Sequence, residues 1–185
     1  MKIFVRTLFC SDRRHRLSVN ERITDLEKNF VCFFTGHREI NASHAELITV
    51  KLDETLETLI KNGVTVFRAG GALGFDTLAA LKVIEKKKIY PFVRLELFLP
   101  CKDQADNWRD FDKDIYEYVL KYADDIIYTS ESYHRGCMHL RNRKMTDGSD
   151  FCVAYLYKNV GGTAYTMDYA SKKGVKIINL VNLWK

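Results

Sequence analysis

The sequence predicts a doubly wound α/β domain, with a mainly parallel sheet of about six strands and helices on both faces. Two observations support this prediction. Short apolar, β-branched runs alternate with amphipathic segments over residues 30–180. Two glycine-rich turns, at 70–76 and 161–166, each join a strand-like run to a helix-like one. Such alternation requires right-handed crossovers, which place parallel strands side by side and helices on both faces.

The predicted elements follow one another without a repeat or a linker. The first strand, at 30–34, is apolar throughout, as expected when both faces of the sheet are covered. The apolar residues from Ile48 to Ile60 recur at helical spacing and stop at Asn62-Gly63. The remaining elements alternate in the same way, with strands at 64–67, 93–99, 125–128, 152–157 and 176–180 and helices at 77–88, 108–119, 138–145 and 163–173.

Composition limits the classes of protein. The chain has 185 residues, of which 46% are hydrophobic and 12% aromatic, enough for one domain with a substantial core. We predict an N-terminal extension over residues 1–28, which do not fit the alternating pattern, and one domain over 29–185. No apolar run reaches the length of a membrane span, so no membrane partner is expected. Five irregularly spaced cysteines favour reduced thiols in a cytoplasm over a disulfide framework.

The positive charge is concentrated at the N-terminus. The net charge is +5, and residues 1–28 hold seven basic against four acidic residues. The rest of the chain is close to neutral, which argues against a broad nucleic-acid-binding face, so a nucleic acid is not expected as the partner. We interpret Arg13-Arg14-His15-Arg16 as a solvated cluster, with a contact to nucleic acid or an acidic partner left open. A homodimer or a protein partner is also left open.

The turns after the first two strands carry candidate ligand-binding residues, because ligands of doubly wound sheets bind beyond the carboxyl ends of strands. The candidates are Gly36, His37, Arg38, Gly70, Gly71, Gly74 and Asp76. The planar fork of Arg38 matches phosphate or carboxylate. The glycines let a ligand approach the backbone. Asp76 fits two interpretations equally, a helix cap and a contact to a ribose hydroxyl.

The turn after the fifth strand is the better phosphate cradle. No acidic residue precedes Asp168 there, so backbone N–H groups and hydroxyls can face an anion. The predicted binding residues are Gly161, Gly162, Thr163 and Thr166. Arg141 on the preceding helix is expected to line the same cleft. Trp108 either stacks on a base or packs in the core.

Metal binding is not predicted, and no cofactor is expected. His134, Cys137 and His139 have a spacing that matches no regular zinc pattern, even with Cys101 added. A nucleophilic pair of Cys137 with a histidine lacks an identifiable third group to orient it.

Three of these segments resemble motifs of the SLOG superfamily, which includes the lonely-guy phosphoribohydrolases and DprA. They are Phe34-Thr35-Gly36-His37-Arg38, Gly70-Gly71-Ala72-Leu73-Gly74-Phe75-Asp76 and Gly161-Gly162-Thr163-Ala164. Leu99-Pro100-Cys101 with Gln104 and Trp108, and Asn142 with Lys144-Met145, are similar to the YpsA-type branch in particular. The resemblance covers roughly residues 30–181. It implies a Rossmann-like fold with a pocket for a nucleotide-derived ligand.

We therefore expect a sensor or regulatory protein that binds a nucleotide or an ADP-ribose-like ligand, a nucleotide-derived small molecule. The alternative is a lonely-guy-like hydrolase of the N-glycosidic bond in nucleoside monophosphates. Those enzymes pair an arginine with a glutamate after the second glycine turn. Arg141 or Arg143 would supply the arginine here, but the nearest acid is the shorter Asp168. A third class is a nucleic-acid-associated protein that uses residues 1–28.

Overall fold

The computed structural model describes residues 29–184, and every structural statement below concerns this part of the chain. The strands are β1 (Phe30–Gly36), β2 (Val64–Ala69), β3 (Arg94–Leu99), β4 (Asp125–Tyr128), β5 (Phe151–Tyr155) and β6 (Lys176–Asn179). The helices are α1 (Ala45–Lys61), α2 (Phe75–Lys87), α3 (Asp110–Tyr122), α4 (Cys137–Thr146) and α5 (Gly161–Lys172), with short 3-10 turns at Ala42–His44 and Leu180–Leu183. The predictions about residues 1–28 lie outside the described residues.

The six strands form one sheet in the order β4-β3-β2-β1-β5-β6, and each neighbouring pair is parallel. The chain runs outward from β1 to β4 and then returns to the other side of β1 as β5. The strand order therefore reverses between β1 and β5, which is where doubly wound sheets bind ligands. This arrangement confirms the predicted Rossmann-like fold class.

Two hydrophobic layers cover the faces of the sheet. Side chains alternate along a strand, so Phe34 joins one layer with α1 and α2, while Phe33 joins the other with α4 and α5. Both phenylalanines are fully buried. The continuous apolar run of β1 is explained by this double coverage. In the described part of the chain, no helix has both the length and the apolarity needed to cross a membrane.

Element bounds differ from the prediction mainly next to the ligand-facing edge. β1 continues to Gly36, which is paired with Tyr155 of β5. α5 begins at Gly161, so both glycines of the second turn lie in the first turn of the helix. α3 begins at Asp110 with the extended Arg109 as its N-cap, which leaves Trp108 in the preceding loop.

Candidate functional site

A cavity of about 310 Å³ lies at the carboxyl ends of β1 and β5. It is bounded by the loop after β1, the start of α2, one face of α4 and the N-terminus of α5. Its lining consists of Phe34, Thr35, Gly36, His37, Arg38, Ala72, Asp76, Met138, Arg141, Asn142, Met145, Val160, Gly161, Gly162 and Thr163. Eight of the predicted binding residues meet there, namely Gly36, His37, Arg38, Asp76, Arg141, Gly161, Gly162 and Thr163.

Arg141 is the most unusual residue of the cavity, because its guanidinium is buried without adequate partners. The residue is only 6% exposed. Its Nε has no hydrogen-bond partner, Nη1 lies 3.8 Å from Oδ2 of Asp76, and Nη2 lies 4.0 Å from the sulfur of Met138. A guanidinium offers five N–H donors, and those of Arg141 meet no oxygen acceptor at hydrogen-bond distance within residues 29–184.

The electrostatic environment of Arg141 also favours the binding of an anion. Burial lowers the pKa of its guanidinium, and the nearby positive charge of Arg38 lowers it further, against the opposite effect of Asp76. Arg38 itself is exposed and forms no ion pair within residues 29–184. The cavity is therefore lined by two guanidinium groups, those of Arg38 and Arg141, and by one buried carboxylate, that of Asp76. The net charge of the lining is positive, which favours an anion.

Gly70 makes room for this guanidinium. A Cβ atom on Gly70 would lie 1.1 Å from Nη1 of Arg141 and 2.3 Å from its Cζ. Gly70 was predicted to contact the ligand directly, but it is outside the cavity lining. Because it has no side chain, Gly70 instead leaves the space that the guanidinium of Arg141 occupies.

Asp76 fixes the first glycine turn. It is 5% exposed, and its Oδ2 accepts a hydrogen bond of 3.0 Å from the backbone N–H of Ala72. Burial raises the pKa of this carboxyl, and Arg141 opposes the rise. The N-cap residue of α2 is Gly74, so Asp76 binds the backbone of the turn rather than that of the helix.

The N-terminus of α5 forms the opposite wall. The first N–H groups of a helix have no partner within it, and the residues that carry them in α5, Gly161, Gly162 and Thr163, belong to the lining. A Cβ atom on Gly162 would meet no atom within 4 Å, so the cavity is open at this point. Thr166 is buried behind this wall, where it donates to the carbonyl of Gly162 at 2.7 Å and accepts from Nδ2 of Asn142 at 2.7 Å. It supports the wall.

His37 closes the side nearest β5. Its Nε2 accepts a hydrogen bond of 3.4 Å from the backbone N–H of Lys158, which places the ring proton on Nδ1. Burial lowers the pKa of His37, and the charge of Lys158 lowers it further. The ring packs against Tyr157, with centroids 4.5 Å apart. Neutral His37 presents no charge to the cavity.

Four predicted residues lie elsewhere. The carbonyl of Gly71 accepts from Nε2 of Gln104 at 2.8 Å. Gly74 packs against the backbone of Arg38. Trp108 packs edge-on against Tyr116, with centroids 5.3 Å apart. Asp168, the predicted acid of a hydrolase, has a side chain that is 61% exposed and pairs with Lys172 at 2.6 Å.

Sequence reasoning missed most of the α4 wall. The lining residues of this helix are Met138, Arg141, Asn142 and Met145. Their spacing of three, four and seven residues is that of one helix face, a signal that is visible in the sequence. This spacing was not recognised, because the basic run around Arg141 is typical of a solvated helix face.

The described residues hold no cluster of three or more His, Cys, Asp or Glu that could bind a metal ion. The lining of the cavity offers hydrogen-bond donors and the positive charge of Arg38 and Arg141. A helix N-terminus together with a guanidinium whose Nε lacks a hydrogen-bond partner is an arrangement that binds anions, and phosphate above all.

Solved structures of two DNA processing proteins share this fold. DprA from Streptococcus pneumoniae is 17% identical with a TM-score of 0.60, over 83% of this chain and 50% of that one. The chain thus spans about half the length of that protein. DprA from Helicobacter pylori is 17% identical with a TM-score of 0.59, over 86% of this chain and 73% of that one.

The second of these structures corrects the prediction about partners. The Helicobacter protein is described by its single-stranded DNA binding mode. We expected a nucleotide-derived small molecule as the partner and a nucleic acid was not expected, because the domain is nearly neutral. That prediction is wrong, since a protein of the same fold, DprA from Helicobacter pylori, is described by its single-stranded DNA binding mode, and a near-neutral charge balance does not exclude a nucleic-acid partner.

Relatives and a family model agree on the assignment of the chain. A UPF0398 protein of Bacillus cereus strain B4264 is 29% identical over 132 residues, which are 70% of this chain and 72% of the relative. A UPF0398 protein of Bacillus thuringiensis strain Al Hakam is 27% identical over the same shares. The model described as the YspA SLOG family, named YpsA, matches residues 32–181. The chain therefore belongs to the YpsA family of SLOG proteins.

Proposed function

We propose that the cavity binds a phosphate group of a nucleotide, and that this nucleotide is a unit of single-stranded DNA. The observation that carries the proposal is the buried guanidinium of Arg141, whose Nε has no partner. Burying a charge without hydrogen bonds is costly, and a phosphate would supply acceptors for the unused donors. The binding of a phosphate thus explains why the arginine is kept there.

The surroundings of Arg141 favour phosphate over other anions. Gly161 and Gly162, which carry the first N–H groups of α5, line the same cavity, and helix N-termini bind phosphate through such groups. The volume of about 310 Å³ lies at the lower end of the range for ligand pockets, which suits one nucleotide unit. A strand therefore has a place for one anchored phosphate, with its other units outside.

A strand is preferred over a free nucleotide because a protein of this fold is described by its single-stranded DNA binding mode. The positive balance at the cavity is local, from Arg38 and Arg141. Local anchoring of one phosphate does not need the broad basic face that sequence-independent duplex binding requires.

Binding is proposed here in preference to hydrolysis. Cleavage of a glycosidic bond commonly uses a pair of carboxyl groups that flank the bond. Among the lining residues, Asp76 is the one carboxylate, and it is held by the backbone of Ala72. Asp168 points to Lys172 at the surface. A regulatory or sensing role for the bound state follows as part of the same proposal.

A cytoplasmic location is part of the proposal as well. Cys32, Cys101, Cys137 and Cys152 are buried and carry free thiols. Free thiols persist in a reducing compartment.

The test uses a fluorescent oligothymidylate of about twelve nucleotides, a length within the range of single-strand sites. We expect Arg141→Met to weaken binding about 100-fold, because it removes charge-assisted hydrogen bonds worth about 1.5–3 kcal/mol each. Arg143→Met is the matched control, since Arg143 is exposed on the same helix and loses the same charge. It should change affinity by a factor of about 3 or less.

Two outcomes would overturn the proposal. Equal weakening by the two variants would mean that the strand meets only a diffuse positive charge. Binding of free thymidine monophosphate as tight as that of the strand would mean that the ligand is a small molecule. Both variants are checked by urea unfolding, so that a loss of fold is not read as a loss of binding.

A further inference from the structure

A second cavity lies directly beside the first. It has a volume of about 490 Å³ and is enclosed by the loop after β1, the first glycine turn, α2 and the start of α3. Arg38 lines both cavities, so the two adjoin at this residue. Any ligand group bound next to the anchored phosphate has this second cavity within reach.

The lining of the second cavity is apolar at its floor and charged at its rim. The apolar residues are Leu73, Leu78, Leu81 and Ile115. Leu78 and Leu81 also pack against the main hydrophobic layer, which gives the floor a fixed shape. Leu73 and Ile115 are half-buried and lie outside that layer, so their apolar surface is available to a ligand.

The two arginines at the rim of the second cavity differ in their ion-pair partners. Arg109 is engaged with Asp112, with Nε 2.8 Å from Oδ2. Arg38 forms no ion pair within the described part of the chain and stands at the boundary with the phosphate cavity. Glu39 adds one hydrogen-bond acceptor at the same rim.

We infer that the second cavity receives a nucleobase, attached to the nucleotide whose phosphate lies against Arg141. A base has flat apolar faces and a polar edge, which match an apolar floor with Glu39 and Arg38 at the rim. Arg38 then contacts the phosphate from the side of the base. This inference rests on the proposed function and extends it from an anchored phosphate to a recognised nucleoside.

The experiment compares two small probes that share a phosphate and differ in the base. Deoxyribose 5-phosphate carries no base, and deoxyadenosine 5′-monophosphate carries one. We expect the nucleotide to bind at least about tenfold more tightly than the sugar phosphate, from contacts of the base with apolar side chains. Ile115→Gln should remove most of this advantage and leave the sugar phosphate unaffected.

Tyr118→Gln is the matched control for Ile115→Gln. It also removes an apolar side chain from α3, but Tyr118 is not in the lining, and its ring packs against Tyr122 with centroids 4.6 Å apart. The control should keep the full advantage of the nucleotide over the sugar phosphate. Unfolding curves of both variants confirm that each is folded before affinities are compared.

The outcomes separate this inference from the proposed function. Equal affinity for the two probes in the wild-type protein would overturn the inference, and so would an Ile115→Gln variant that keeps the full advantage. Nucleotide binding that depends on Ile115 but survives Arg141→Met would overturn the phosphate site and keep the base cavity. Strand binding that is lost in Arg141→Met but indifferent to Ile115→Gln would do the reverse. Retention of an apolar peptide, with no nucleotide bound, would overturn both.

Discussion

Gly70→Ala is expected to weaken ligand binding strongly without removing any group that touches the ligand. The added Cβ would lie 1.1 Å from Nη1 of Arg141, and roughly 2 Å of displacement or more is needed to reach ordinary contact. The backbone φ of Gly70 is not positive, so a residue with a side chain can adopt it without strain. The substitution therefore acts through the guanidinium alone.

The magnitude follows from what the displaced guanidinium loses. Its free donors no longer face the cavity, which removes at least one charge-assisted hydrogen bond to phosphate, about 1.5–3 kcal/mol, or 10- to 100-fold in affinity. Asp76 loses its opposite charge at 3.8 Å while it stays buried. We expect the free energy of unfolding to fall by about 1–3 kcal/mol.

A double-mutant cycle measures whether the two residues act as one unit. Affinity for the oligothymidylate and urea unfolding are recorded for Gly70→Ala, for Arg141→Met and for the double variant. If Gly70 acts by placing Arg141, the alanine costs no further affinity once the arginine is gone. Losses that simply add in the double variant, or wild-type affinity in Gly70→Ala, would refute the reasoning.

Three further predictions concern other parts of the domain. Gly162→Val should fold normally, because its Cβ has open space, and should weaken strand binding at least about tenfold, whereas Ser171→Val on the exposed side of α5 should not. Burial and Lys158 lower the pKa of His37 from its usual 6.5, so its contribution to stability is complete above about 6.5 and is lost as pH falls through the lowered pKa. Acidification should therefore lower stability in urea melts yet tighten strand binding, and His37→Gln should flatten both profiles. A chain that starts at Asn29 should melt cooperatively in calorimetry, and a broad transition would count against separating residues 1–28 from the domain.

Much of the fold could be predicted because each strand carries its own local signal. β1 is apolar on both faces, and Gly63 and Pro100 end elements where the sequence places them. Trp108 was assigned to a helix because it lies at helical spacing from Phe111 and Ile115. The structure starts α3 later, since the extended backbone of Arg109 caps it. Spacing identifies a helix face but does not fix where the helix begins.

The candidate site was predicted in part. Strand-end reasoning brought Arg38 and Gly162 to one cavity, because the carboxyl ends of β1 and β5 meet there. The burial of Arg141 was not predictable from its own neighbourhood, since Arg143 and Lys144 beside it are exposed. It depends on a contact with Gly70, 71 positions earlier in the chain. Local pattern contains no information on such a contact.

The absence of a Cβ atom at Gly70 also has a consequence for how the sequence can evolve. Positions 70 and 141 occupy one volume, so a side chain at the first and an arginine at the second exclude each other. A lineage that replaces this glycine must lose the arginine or redirect it, and a lineage that has already lost the arginine is free to fill position 70. The two positions should therefore change together among relatives. Chains that carry a larger residue at position 70 are then expected to have given up the phosphate anchor as well.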